Sequence, residues 1–155
     1  MNNIPATQCR KEIMNNHTTF PRYLDEPDLE TRRSLAASLP IASLPPRLLT
    51  ALEEPDVTVR RILLKRLPES AWPNRYPTVA EEPDENIRRV LAKALPQSAL
   101  PRKLPNADEE PSFVIRRILA DELPRAALPS EMPSVLLEPD KKVREILVHR
   151  MRANR

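Results

Sequence analysis

The chain repeats one sentence five times. The Glu-Pro pairs begin at Glu26, Glu54, Glu82, Glu110 and Glu138, and every step is 28 residues with no insertion. "EPDVTVRRILLKRLP" at 54–68 returns as "EPDLETRRSLAASLP", "EPDENIRRVLAKALP", "EPSFVIRRILADELP" and "EPDKKVREILVHRMR". A strict period of this length points to stacked structural units, none of which can bury its apolar face alone. The 155 residues contain 19 Pro and no Gly. Tight hairpins and phosphate-cradling loops rely on Gly for positive φ, so an all-β fold and a Rossmann or P-loop nucleotide site are both disfavoured. Aromatic residues make up 3% of the chain, too few for base-stacking platforms.

Each copy divides into two parts. The first predicts a helix from Pro55 to about Leu67, with Pro55 at the first helical position and Asp56 in the first turn. Val59, Ile62, Leu63 and Leu67 form its apolar stripe. Pro68 ends it, because the residue before a proline avoids the α region; Pro40, Pro96 and Pro124 repeat that stop. The second part reads "LPPRLLTAL", "WPNRYPTVA", "LPRKLPNAD" and "LPSEMPSVL". Apolar residues recur there at Leu44, Leu48 and Ala51, then at Trp72, Tyr76 and Val79. Its prolines forbid a long α-helix, and a short helix, partly 3₁₀, is expected. "NHTTFPRYLDE" at 16–26 fits as a degenerate first copy with Phe20 and Tyr23 in the apolar slots.

The repeated acidic-Pro-Asp opening followed by Val-Arg resembles the leucine-rich repeat variant and, more loosely, the HEAT-like α-solenoids. The resemblance spans about residues 17–152. It implies an all-α, right-handed α-solenoid of about five repeats, each one α-helix plus one short helix. Residues 1–16 would form a polar N-terminal tail, 17–152 a single repeat domain and 153–155 a C-terminal tail. The period is longer than the usual variant repeat and shorter than a HEAT pair. The iron–sulfur module associated with the variant family needs clustered Cys, and this chain has Cys9 alone, so that role does not carry over. End copies should be atypical. The first has Thr31 and Ser34 at its apolar positions; the last carries Glu145 for the second Arg and ends in "RMRANR".

Two columns of arginine run through the copies. The first holds Arg32, Arg60, Arg88, Arg116 and Arg144, each four residues after Asp28, Asp56, Asp84, Ser112 and Asp140. That spacing suits an acid–base pair along one helix, or a reach to the aspartate of the next copy, and reads as a stacking ladder. The second holds Arg33, Arg61, Arg89 and Arg117, about 160–200° around the helix from the apolar stripe. Lys65 and Lys93 follow one turn later. These six side chains predict a basic, solvent-facing stripe. It is either a solvated face partly neutralised by Glu53, Glu54, Glu81, Glu82, Glu109 and Glu110, or a docking surface for an acidic partner. Phe113 is a candidate aromatic anchor beside it; Trp72 and Tyr76 read as core residues.

No catalytic constellation assembles. His17 and His149 are far apart in sequence, Cys9 lies outside the repeats, and paired carboxylates such as Glu81–Glu82 recur in every copy, which favours a structural role. Residues that break the pattern are Trp72, Tyr76, Asp108 and Phe113. No metal, cofactor or catalytic residue is expected. The N-terminal segment lacks the apolar core of a signal peptide, so a cytoplasmic location is expected, with signal-independent export as an alternative. Net charge is +3, mild for a protein that grips many phosphates. The functional expectation is a non-enzymatic scaffold, monomer or weak dimer, that binds a protein through Arg33, Arg61, Arg89, Arg117, Lys65, Lys93 and Phe113. The alternative is a HEAT-like nucleic-acid binder that uses the same stripe on phosphates, helped by Arg150, Arg152 and Arg155. No membrane association is expected.

Overall fold

The computed structural model of the chain describes residues 26–153. The 1–16 tail, Cys9, His17, Phe20, Tyr23 and Arg155 lie outside the described residues. Six α-helices and no strand are found among the described residues: α1 (Leu29–Ser38), α2 (Val57–Arg66), α3 (Glu85–Ala94), α4 (Phe113–Glu122), α5 (Met132–Leu136) and α6 (Lys141–Arg152). Short 3₁₀ helices stand at Ile41–Ser43, Glu69–Ala71, Gln97–Ala99 and Arg125–Ala127. The chain divides between Trp72 and Pro73 into two compact units. In the first, α1 packs on α2; in the second, α3 packs on α4, α4 on α6 and α5 on α6.

The helices begin two residues later than the proline suggested. Asp56 is extended at φ −78°, ψ 116°, and its carboxylate accepts the N–H of Val59. It is therefore the N-cap, and Pro55 stands outside the helix. Asp28, Asp84, Ser112 and Asp140 cap their helices in the same way. A capping oxygen satisfies an amide that the helix itself leaves without a partner. The proline stop behaves as expected: Leu67, just before Pro68, turns to ψ 142° while its N–H still closes on the Leu63 carbonyl.

The short helix sits upstream of its expected place. It follows directly on each stop, where Ala71 N–H closes on the Pro68 carbonyl at 2.9 Å. The segments beginning Leu44, Trp72 and Leu100 instead run extended into a turn. Their prolines lack donors, and one remaining N–H reaches the next short helix: Leu48 to Ala71 at 2.8 Å, Tyr76 to Ala99 at 2.6 Å, and Leu104 to Ala127 at 2.8 Å. The helical outcome appears once, as α5 in the last copy.

The buried stripe is wider than the four positions read from α2. Val59, Leu63, Leu64 and Leu67 are buried, whereas Ile62 is only half-buried, and Arg60 is buried with the core residues. The same register buries Ile87, Arg88, Leu91 and Ala92 on α3, and Ile115, Arg116, Leu119 and Ala120 on α4. Trp72 is half-buried with an indole N–H that is enclosed and unbonded, and Tyr76 is half-buried.

The first arginine column is a ladder, but its rungs are not the aspartates. Within the second unit, Arg88 donates from Nε and Nη2 to the Glu110 carboxylate, both at 3.0 Å, and from Nη1 to its own copy's Glu82 carbonyl at 2.9 Å. Arg116 does the same with Glu138 and the Glu110 carbonyl. In the first unit Arg32 joins Glu54 and the Glu26 carbonyl. The aspartates are occupied as caps, which is why the acid–base pair at four-residue spacing does not form. The glutamate of Glu-Pro, expected on an acidic solvent face, is instead buried: Glu54 and Glu110 are 1% exposed. Its carboxylate also accepts the N–H two residues on, as Glu110 does from Ser112 at 3.1 Å. Arg32, Arg88 and Arg116 thus each clamp two successive Glu-Pro corners.

A buried pair broken on one side leaves an uncompensated charge, which costs about 3–5 kcal/mol. Arg88→Leu or Glu110→Leu alone is expected to lower unfolding free energy by about that amount in urea titrations. The double variant Arg88→Leu, Glu110→Leu is expected to recover a large part of the loss, since an apolar pair can replace a buried ionic one. Additive losses would show that the pair itself is not what couples the two corners.

Candidate functional site

The second arginine column emerges on the outer side of the helices, and its members meet different fates. Arg33, half-buried on α1, donates from Nε and Nη2 to the Asp56 carboxylate at 3.2 and 2.9 Å, and from Nη1 to Glu30 at 2.7 Å. Arg117 on α4 holds Asp140 the same way at 3.0 and 2.9 Å. The helix-capping aspartate of the following copy therefore neutralises the arginine. The glutamate column was expected to do this and does not.

Arg89 on α3 breaks the pattern. The residue that corresponds to Asp56 and Asp140 is Ser112. Ser112 still caps α4 through Oγ, which accepts the Ile115 N–H at 3.3 Å and donates to Glu85 at 2.7 Å. It brings no charge. Arg89 is exposed and bonds only the Asn86 side-chain oxygen, at 2.8 Å. Lys93, one turn later, is also exposed. Arg61 and Lys65 occupy the corresponding exposed positions on α2.

Phe113 follows Ser112 as the first residue of α4 and is 48% exposed. The Arg117 guanidinium carbon lies 4.6 Å from its ring centre, a cation–π contact that holds the ring in place. Asp140 holds Arg117 in turn. The second unit therefore presents an exposed aromatic ring, a fixed arginine behind it, and two cations on the adjacent helix without a carboxylate.

A second feature of this unit is a cleft of about 660 Å³ lined by Tyr76, Leu100, Arg102, Lys103 and Glu109 among others. Elsewhere the arginine at this repeat position is paired, Arg47 with Glu53 and Arg75 with Glu81. Lys103 stands at the same position, and no ion pair joins it to Glu109. At the cleft's floor Tyr76 donates its hydroxyl to Glu110 at 2.8 Å. Burial and that bond push the phenol pKa up. Burial also pushes the Glu110 carboxyl up, but the donors Arg88, Tyr76 and Ser112 outweigh it and leave its pKa lowered. Tyr76 thus extends the buried ladder. Asp108 and His149 are exposed and join neither feature.

Sequence reading missed two structural arginines. Arg66 donates to the Ala36 and Leu39 carbonyls at the end of α1, and Arg150 to those of Ala120 and Leu123 at the end of α4. Each caps the C-terminus of the preceding long helix. Their shared repeat position is the signal, but Ala94 and Glu122 fill it in the copies between. Arg150 is thereby drawn away from the set of cations available for phosphate. Among the described residues no helix is long and apolar enough to cross a membrane.

No protein-family model, no curated protein and no solved structure matches the chain.

Several carboxylates titrate low. The Arg47 hydrogen bond takes the Glu53 pKa from 4.5 down to about 2, and Arg117 takes Asp140 from 3.8 to about 2. Asp56, Glu81 and Glu110 are shifted the same way. A folded-state value below the unfolded one contributes stability above the unfolded pKa and loses it as pH falls through the folded value. The melting temperature is expected to be flat from pH 7 to about 5, then to fall between the ordinary carboxylate range and pH 2, as read by circular dichroism. A melting temperature that rises on acidification through this range would contradict the assignment.

Proposed function

We propose that the chain is a non-enzymatic α-helical repeat scaffold, a right-handed α-solenoid of the leucine-rich-repeat-variant and HEAT-like kind, that binds an acidic protein surface. The observation that carries this reading is the serine at Ser112. It leaves Arg89 without the carboxylate that Arg33 and Arg117 each have, on the helix that packs against α4, whose first residue is the exposed Phe113. Charge that has no internal partner is available to an external one, and an aromatic ring held by a neighbouring cation is a low-entropy anchor. Arg89 and Lys93 receive carboxylates of the partner, and Phe113 enters an apolar recess on it. Arg33 and Arg117 contribute less, because each already holds an aspartate. That neutralisation also favours a protein over nucleic acid, whose binding would draw on every cation of the row. The setting proposed is the cytoplasm.

Two variants test the reading. Arg89→Glu, Lys93→Glu reverses the charge at exposed positions, and Ser112→Asp with Glu85→Gln supplies the internal carboxylate that other copies have. Both should retain helix content, and the second should melt at or above the parent temperature. Affinity-capture mass spectrometry from cells of the source organism, quantified against both variants, is expected to find a protein whose recovery falls roughly tenfold or more in each. Phe113→Ala should weaken the same partner. Fluorescence anisotropy with duplex DNA and RNA should stay flat at physiological salt. Salt-sensitive nucleic-acid binding lost in the charge-reversed variant would replace the protein reading, and a partner indifferent to both variants would remove this face from it.

A further inference from the structure

The cleft of the second unit lies where one copy has lost a clasp that two others carry. Arg47 donates from both terminal nitrogens to the Glu53 carboxylate at 2.8 and 2.5 Å, and Arg75 does the same to Glu81 at 3.1 and 2.6 Å. Each carboxylate is also fixed by the amide three residues before it, that of Thr50 or Thr78. Glu109 keeps this local bond, accepting the Asn106 N–H at 3.4 Å. It has no clasp, because Lys103 stands at the position of Arg47 and Arg75. A guanidinium offers a planar fork that matches both carboxylate oxygens, whereas an ammonium is a point charge on a flexible stem. Arg102 adds a second cation where the other copies have Pro46, Asn74 and Ser130. Arg102 and Lys103 are both exposed, and neither forms an ion pair among the described residues.

Below these charges apolar side chains predominate. The volume of about 660 Å³ falls in the range of small-molecule sites, roughly 300–1,000 Å³. One copy lines the cleft with Tyr76, Pro77 and Val79, and the next with Leu100, Pro101 and Pro105. The Tyr76 N–H ties the two segments together through the Ala99 carbonyl at 2.6 Å. Polar groups at the floor are already satisfied. Tyr76 gives its hydroxyl to Glu110, and Glu110 also takes two Arg88 donors and the Ser112 N–H. The charge of Glu110 is thus matched inside the fold, and Arg75 at the rim is matched by Glu81. What is left for a ligand is an apolar lining and, at the rim, two cations against the single carboxylate of Glu109.

We propose that this cleft binds a small organic carboxylate. Its apolar body lies against Val79, Leu100 and the prolines, and its carboxylate is held by Lys103 and Arg102. Charge complementarity selects the anion, since the rim carries one more cation than carboxylates and the Lys103 ammonium is tied to no acid of the fold. The apolar lining selects a compound with a hydrocarbon body over an inorganic ion. The cleft shares no residue with the surface of Arg89, Lys93 and Phe113, so either proposal can fail without the other.

Heteronuclear amide spectra of the full chain, titrated with naphthoate and separately with its neutral amide, naphthamide, test the proposal with two compounds of one shape that differ in charge. Naphthoate is expected to shift the amides of Val79, Leu100 and Lys103 saturably, with a Kd of about 1 mM or tighter for a ligand of this size. Naphthamide should bind about tenfold more weakly or worse. Lys103→Met should weaken naphthoate by about tenfold. Lys103→Arg keeps the charge yet should weaken it too, because a guanidinium there closes the clasp on Glu109 as Arg75 does on Glu81. Glu109→Gln should strengthen it. All three substitutions are at exposed positions, and unchanged amide shifts away from the cleft show that the fold is kept. Equal affinity for the two compounds overturns the proposal, as do shifts that never saturate or that spread over the exposed cations of other helices. Naphthoate affinity that survives either Lys103 substitution overturns it as well.

Discussion

In the second unit, α3, α4 and α6 are held together by two buried arginines, Arg88 and Arg116, each of which grips two successive Glu-Pro corners. The guanidinium suits this task because it is planar and offers donors in a fixed fork. One nitrogen closes the corner of its own copy through a backbone carbonyl, and two others take the carboxylate of the next. The same carboxylate accepts an N–H at the residue that caps the helix. Packing of one helix on its neighbour and the start of that neighbour are thus set by one group. Desolvating such a pair is costly, so its net contribution to stability is small. Its contribution is to register: a copy displaced by one residue would leave both charges buried and alone.

With the first arginine used internally, the second decides what the outer face offers. For Arg33 and Arg117 the partner is the capping aspartate of the following copy, Asp56 and Asp140. One exchange, aspartate to serine at Ser112, keeps the helix cap and removes the charge. A hydroxyl and a carboxylate are nearly equivalent to a helix N-terminus but very different to a guanidinium. The exchange therefore changes the surface without changing the fold. Phe113, the next residue, is exposed at the same spot and steadied by Arg117.

Much of this was legible from residues alone. The 28-residue step, the helical stripe of Val59, Leu63 and Leu67, and the stop before Pro68 all follow from local rules of backbone and burial. The helix start was misplaced because proline is tolerated both at the first helical position and just before a cap. Choosing between them requires knowing that the Asp56 carboxylate turns onto the Val59 amide. The short helix was misplaced for a related reason. "PESA" and "WPNRYP" are both proline-rich, and only the carbonyl acceptor for the Tyr76 N–H shows that the second is extended. Arg66 and Arg150 were not legible as caps, since their acceptors are carbonyls 27 and 30 residues away.

By itself the sequence determined the helical class, the repeat, the helix stops before Pro40, Pro68, Pro96 and Pro124, and the existence of two arginine columns. These depend on periodicity and on dihedral restrictions that act within a few residues. Tertiary structure alone decided which carboxylate each arginine holds, that Glu110 is buried while Glu109 is exposed, and that Arg89 stands apart from Arg33 and Arg117. The acidic residues within reach in sequence were too many and too alike to rank. Only the distance between packed helices, which brings Glu110 to Arg88 across 22 residues of chain, separates the internal rung from the outward-facing charge.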